Sequence, residues 1–160
     1  MLYLDSSALI KKYFVEPGTP RLQAKLKQET EAGAILFSSG LTYAEMHASV
    51  ARRQREDALS EMEADDIHDQ FDRDWATAIT RVELSSAVLA FVRDVVKASP
   101  LRGADTLHLA SALWLRDSTR LGVKSGDNSG WFTFVSSDRQ LLAAAKKQKI
   151  LTFNPSEPST

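Results

Sequence analysis

The chain reads as an α/β protein with a mainly parallel central sheet flanked by helices. Three observations predict it. Short apolar runs alternate with helical stretches along the whole length, as strand–helix units do. Neither an internal repeat nor a linker-like stretch interrupts them. Four acidic residues, Asp5, Glu45, Asp105 and Asp138, each stand where an apolar strand or turn gives way to a helix. In an open sheet of this kind the strand-to-helix junctions gather at one edge, and ligands bind there.

The elements follow in order. Residues 1–4 form a short apolar strand ending at Asp5, then Ser6-Ser7 lead into a helix over residues 8–14 that Glu16-Pro17-Gly18 stops with turn chemistry. A second helix is expected over residues 20–32, with Leu22 and Leu26 four apart, and a buried strand over residues 34–37, Ala-Ile-Leu-Phe. After Ser38-Ser39-Gly40 a long helix begins near Thr42, in which Leu41, Ala44, Ala48 and Ala51 share one face. Residues 52–74 carry dense charge of both signs and read as the polar end of that helix and most of another. Residues 81–84 fit a third strand and residues 85–96 one helix closed by Pro100. Residues 103–115 are helical, with Leu107, Ala110, Leu113 and Trp114 at core spacing, and residues 118–130 are a loop holding three glycines. A strand at 132–135, a helix at 138–147 and a closing strand at 150–153 complete the pattern. Residues 1–153 are therefore expected as a single domain and residues 154–160 as a flexible tail.

Composition narrows the function classes. At 160 residues and 17.7 kDa the chain has one domain's length, and 43% hydrophobic with 26% charged residues is globular usage. A net charge of -1 gives no global attraction to nucleic acid or anionic membrane, so a polyanion would need a local basic patch or a metal. The absence of cysteine excludes disulfides, thiolate metal sites and a cysteine nucleophile. An acid at position 5 and the lack of a long apolar run argue against a signal peptide or a membrane span, and a soluble cytoplasmic protein is expected.

Each acid has an ordinary structural reading. Asp5 fits a helix cap, Thr42-Tyr43-Ala44-Glu45 a capping box, Asp105 a first helical turn and Asp138 a helix start, with Ser137 and Gln140 matching a second capping box. Their joint placement points further. Carboxylates gathered at one edge repel unless a positive charge sits among them, and oxygen donors suit Mg²⁺ or Mn²⁺.

These residues also carry a resemblance. Leu2-Tyr3-Leu4-Asp5-Ser6-Ser7-Ala8-Leu9-Ile10-Lys11 resembles the opening of a PIN domain, whose first strand ends in a metal-binding Asp followed by small hydroxyl residues. Thr42-Tyr43-Ala44-Glu45 resembles that family's second acid, and Arg102-Gly103-Ala104-Asp105-Thr106-Leu107-His108-Leu109-Ala110-Ser111-Ala112 its third and most specific motif. Phe134-Val135-Ser136-Ser137-Asp138-Arg139-Gln140-Leu141-Leu142 resembles the fourth, in which Ser or Thr precedes the Asp by two positions. All four stand in family order over nearly the whole chain, which is similar to the VapC toxins of type II toxin–antitoxin systems. Two departures, the loop at 118–130 and the charged segment 52–76, touch no motif.

The resemblance implies a PIN-like three-layer sandwich and a metal-dependent endoribonuclease that hydrolyses RNA phosphodiester bonds as a toxin. Asp5, Glu45 and Asp105 would hold one or two Mg²⁺ or Mn²⁺ ions, with Asp138 a further ligand, direct or through water. Ser7 and Ser136 would orient Asp5 through hydroxyl hydrogen bonds, while Ser6 fits ordinary turn chemistry. RNA, including structured RNA such as tRNA, is the implied substrate; a homodimer and a cognate antitoxin are the implied partners. Lys11 and Arg102 stand where they could meet phosphate. His108, one turn after Asp105, reads first as a helix-surface or satisfied core histidine, and His47 and His68 carry no motif.

Rival classes fit less well. A phosphoryl-acceptor protein of the response-regulator kind needs an acceptor Asp after its third strand and a Lys after its last, where this chain has Glu83-Leu84-Ser85-Ser86 and Asn154-Pro155. A non-catalytic PIN-like module binding RNA or protein would be expected to have lost acids. A housekeeping PIN nuclease would look the same as a toxin.

Overall fold

In the first strand, Leu2 and Leu4 enter one core and Tyr3 the other, as a period of two requires of a strand buried on both faces. The computed structural model describes residues 1–119 and 131–157. Its elements are β1 (Leu2–Leu4), α1 (Ser6–Leu9) running into a 3-10 turn (Ile10–Lys12), α2 (Thr19–Glu31), β2 (Leu36–Ser39), α3 (Leu41–Arg55) and α4 (Glu61–Thr77). They continue with β3 (Ile79–Val82), α5 (Ser86–Leu89), α6 (Val92–Ala98), α7 (Gly103–Thr119), β4 (Thr133–Val135), α8 (Arg139–Lys147) and β5 (Leu151–Phe153).

The five strands form one sheet in the order β3-β2-β1-β4-β5, and every pairing is parallel. Two cores cover its faces. Ala8, Leu9, Leu22, Leu26, Met46, Phe71 and Trp75 from α1 to α4 pack on one. Val88, Val95, Leu109, Leu113, Leu141 and Ala145 from α5 to α8 pack on the other. This is the three-layer sandwich with a parallel sheet that the sequence predicts. Chain order reverses between β1 and β4, so the cleft beyond their carboxyl ends is the sheet's topological switch point.

Several boundaries differ from the sequence reading, each for a local reason. The second strand runs two residues later than the apolar run 34–37. Gly33, at φ 83, ends α2, its N–H bonding Thr30 O at 2.9 Å and the Ala34 N–H bonding Glu29 O at 2.8 Å, so Ala34 belongs to the helix stop. Ser38 extends the strand because its buried hydroxyl is paired, with Leu4 O at 2.6 Å and Thr42 Oγ1 at 2.7 Å. The buried stripe of α3 is accordingly Thr42, Met46 and Val50, while Ala44 and Ala48 are exposed. The third strand starts two residues early because Ala78 both caps α4 and leads directly into it. The helix expected over residues 85–96 is broken at Ala90–Phe91, where the Phe91 N–H bonds Val88 O in a tighter turn. Ser118 and Thr119, expected in a loop, complete α7, and the rest of that loop lies outside the described residues.

Residues 154–157 pack against the start of α2. Asn154 is buried and Arg21 Nη1 donates to its carbonyl at 3.3 Å. A Cβ on Gly18 would stand 2.6 Å from Pro155 O, so only glycine, here at φ 96, lets the two backbones meet. Residues 158–160 lie outside the described residues. Among the described residues no helix is long and apolar enough to cross a membrane.

Candidate active site

Asp5 follows β1 at the switch point and is 2% exposed. Its carboxylate is held on three sides. Oδ1 accepts the Ala8 N–H at 2.9 Å, which caps α1 as the sequence suggests, and Oδ2 accepts the Ser136 hydroxyl at 2.7 Å. The Ser7 hydroxyl stands 2.9 Å from both oxygens. Both serines are themselves fixed by backbone: Ser137 N–H donates to Ser7 Oγ, and Asp138 N–H donates to Ser136 Oγ, each at 2.9 Å. Ser7 and Ser136 thus lie where the motif reading puts them, against Asp5. Burial pushes the Asp5 carboxyl above its ordinary range, and the charge of His108 together with these hydrogen bonds only partly opposes it.

Glu45 sits one turn into α3 and is half-buried. The capping box expected from Thr42 and Glu45 does not form. Gly40 occupies the cap position, Thr42 turns inward to Ser38, and Glu45 Oε2 meets His108 Nε2 at 2.8 Å. His108 is 2% exposed and its Nδ1 lies 3.2 Å from the Tyr3 hydroxyl. Burial drives the Tyr3 hydroxyl far upward, so it stays protonated, and the His108 ring bridges it to the Glu45 carboxylate. His108 is therefore a satisfied core histidine and also the residue that orients one of the four acids. Burial raises the Glu45 carboxyl, but the hydrogen bond and charge of His108, helped by Ser6, outweigh it and leave it below its ordinary value.

Asp105 lies in the first turn of α7 and Asp138 caps α8, its Oδ1 accepting the Leu141 N–H at 2.8 Å. The second expected capping box is likewise absent, because Gln140 reaches away to Pro100 O at 2.6 Å. The Asp105 carboxyl is pushed up by burial first, then by the negative charge of Asp138, with Glu45 adding to it and His108 and Arg102 opposing. Asp105, Asp138 and Glu45 therefore share one electrostatic neighbourhood, and His108 acts on Asp5 as well as on Glu45 and Asp105. Lys11, expected near phosphate, is instead buried and paired with Glu16 at 3.1 Å.

Among the described residues, no three His, Asp or Glu side chains stand close enough together to ligate one ion as placed. The donor chemistry nevertheless fits a hard divalent cation. All four acids supply oxygen donors, Asp105 is raised by burial and then by its acidic neighbours, and Asp5 is a buried carboxylate whose salt-bridge partners are absent among the described residues. The signal for His108 was present in the sequence as its one-turn spacing from Asp105; its partner Glu45, 63 residues away, was not.

Comparison with known proteins bears on the family and the fold. No protein-family model matches the chain. It is 36% identical over 117 residues to Ribonuclease VapC45 and to Ribonuclease VapC49, both of Mycobacterium tuberculosis, an alignment spanning 73% of this chain and 78% of each relative. Its fold is similar to that in the crystal structure of FitAcB from Neisseria gonorrhoeae, with a TM-score of 0.67 at 18% identity over 99% of this chain and 100% of the other. It is also similar to a chain of VapBC2 from Rickettsia felis bound to a DNA fragment from their promoter, with a TM-score of 0.65 at 11% identity over 96% and 98%. With its motifs in order, its parallel three-layer fold and relatives at that level of identity, the chain belongs to the VapC-like toxin family of PIN-domain proteins.

Proposed function

We propose that this protein is a metal-dependent endoribonuclease that hydrolyses RNA phosphodiester bonds and acts as the toxin of a VapBC-type pair. The observation that carries the reading is the Asp5 cradle. A carboxylate buried at the switch point, held by two hydroxyls and a backbone N–H, is costly to maintain unless a cation meets it. Two curated relatives bear the name ribonuclease, which supports the same reaction class.

Asp5, Glu45 and Asp105 would hold Mg²⁺ or Mn²⁺, with Asp138 a further ligand. A divalent ion held there would supply positive charge to the phosphodiester and would make hydroxide available from water near neutral pH. The chain's own residues do the rest. Ser7 and Ser136 fix the direction of the Asp5 oxygens, and Asp138 N–H locks Ser136 in turn. His108, itself oriented by Tyr3, sets the rotamer of Glu45. No histidine needs to move a proton in this scheme. The partners we propose are RNA, with tRNA as a candidate, a second copy of the chain and a cognate antitoxin; the fold likeness to a chain of VapBC2 supports the last.

The test is cleavage of a labelled RNA pool by wild type and by Asp105→Asn, with Mg²⁺, with Mn²⁺ and with EDTA. Metal-dependent cutting that the substitution abolishes, in protein that stays folded, is expected. Cutting that survives EDTA or the substitution would place the activity elsewhere. Folded, partner-free wild type that cuts nothing in either metal would favour a binding module.

A further inference from the structure

A second feature lies at the same sheet edge, at the start of α3. It is a cleft of about 430 Å³ beyond the ends of β2 and β3, whose lining includes Gly40, Tyr43, Asp72, Trp75, Arg81 and Glu83. That is the size range of small-ligand sites. Two aromatic rings, Tyr43 and Trp75, stand 5.6 Å apart between centroids, and Tyr43 is 40% exposed although its ring is large and apolar. Asp72 is already engaged by His47 Nε2 at 3.1 Å. Arg81 and Glu83 are exposed and of opposite sign, yet neither has an ion-pair partner among the described residues. Gly40 brings the backbone beside Glu83, where even a Cβ would be in ordinary contact with Oε2 at 3.5 Å.

The charges select the ligand. With one cation against two carboxylates the cleft does not favour a phosphate group. It favours a planar, neutral ring that stacks on an aromatic side chain and presents both donors and acceptors at its edge. Single-stranded RNA offers such rings as unstacked bases, read by aromatic stacking and by hydrogen bonds to their edges. Guanine fits best, because its O6 and N7 acceptors suit an arginine and its N1–H and N2–H₂ donors suit a carboxylate.

We propose that this cleft is a guanine-binding subsite for the RNA, with Tyr43 as stacking surface and Arg81 and Glu83 as the residues that read the base edge. The inference rests on the ribonuclease reading and deepens it by naming what selects the substrate. Placement supports it. The Gly40 N–H bonds Val82 O at 2.9 Å, joining the ends of β2 and β3, and α3 leads from Gly40 to Glu45. Neighbouring strands lie ~4.8 Å apart, so a strand crossing the edge from β1 reaches the cleft within about one or two nucleotides.

The test has two arms, so that it does not depend on turnover. In EDTA, ¹⁵N NMR titrations of the full chain with GMP, AMP, CMP and UMP read binding without cleavage. GMP is expected to shift the Gly40 amide and Trp75 indole signals most; Arg81→Ala should weaken that binding about tenfold, the effect of one lost charge-assisted contact. Glu83→Gln should remove the preference for GMP over AMP while leaving a folded spectrum. No shift at these signals with any nucleotide, or an unchanged preference in Glu83→Gln, would overturn the proposal even if the enzyme proves to be a nuclease. In the second arm, cut sites in a randomised RNA should show guanine at one fixed distance from the break for wild type and not for Glu83→Gln. The same enrichment in both proteins would overturn it. A wild type that cuts nothing overturns the ribonuclease reading, and the binding arm then decides the cleft by itself.

Discussion

Asp5 and Glu45 stand at the same edge of the sheet, yet Asp5 is fixed by its chain neighbours and by the end of the adjoining strand, and Glu45 by one histidine 63 positions away. Ser7 and the Ala8 N–H are two and three residues from Asp5, and Ser136 arrives directly after β4, the strand paired with β1. That side is built from backbone and short hydroxyls, whose rotamers cost little to hold. The other side hangs on a Tyr3–His108–Glu45 chain of side chains that spans β1, α7 and α3. Burial raises both carboxyls, but the net results are opposite: Asp5 is left above its ordinary value, whereas His108 brings Glu45 below its own. The lesson is that one half of the site is set once the sheet forms, whereas the other needs three elements to dock correctly.

The largest effect that can break this comparison is on activity. Under the proposed function, Asp5→Asn should lower RNA cleavage by at least about 10³-fold, since several kcal/mol of charge stabilisation are removed. Glu45→Gln should fall equally far. If Glu45→Gln retains most cleavage, the His108 side orients nothing that matters. The next effect is smaller and separates the two supports. Ser136→Ala and His108→Gln should each weaken Mn²⁺ binding, followed by calorimetry, by about 10–100-fold, the usual cost of losing a residue that orients a ligand. A merely structural His108 would lower the melting temperature and leave Mn²⁺ affinity unchanged.

The same contrast explains what was legible in the sequence. An apolar run ending in an acid, with hydroxyls on either side, is a local word, and Asp5, Ser7, Ser136 and Asp138 could all be read from it. The parallel sheet was legible for the same reason, although strand ends moved where Ser38 and Ser39 continue a strand that hydropathy alone ends at Phe37. Glu45 was found by its motif, but its local pattern suggested a capping box, and only the folded chain shows it turned toward His108 instead. Thr42 misled in the same way, because its hydroxyl satisfies a strand serine and so takes a core position that the alanines of α3 were expected to share. Side-chain partners 63 or 105 residues apart leave no periodic trace. The Arg81 and Glu83 pair escaped notice because unpaired surface charge looks ordinary until a cleft is seen around it.

The smallest predicted effect is on stability, and it has opposite signs on the two sides. A carboxyl whose folded value is raised contributes stability that is fully present below its unfolded value, 3.8 for Asp5, and lost as pH rises through the folded value. At neutral pH in EDTA the buried Asp5 charge therefore opposes folding, and Asp5→Asn should melt several degrees higher than wild type, with the gap closing toward pH ~4. Glu45 behaves the other way. Its lowered value contributes stability above its unfolded value, 4.5, which is lost as pH falls through the folded one. Glu45→Gln should consequently melt below wild type at neutral pH, and that gap too should close on acidification. Thermal melts of both variants in EDTA, from pH ~4 to ~8, measure the two gaps directly. Should Asp5→Asn prove less stable at neutral pH, the hydroxyls of Ser7 and Ser136 compensate the buried charge without a cation, and the cradle is then a structural cap rather than half of a metal site.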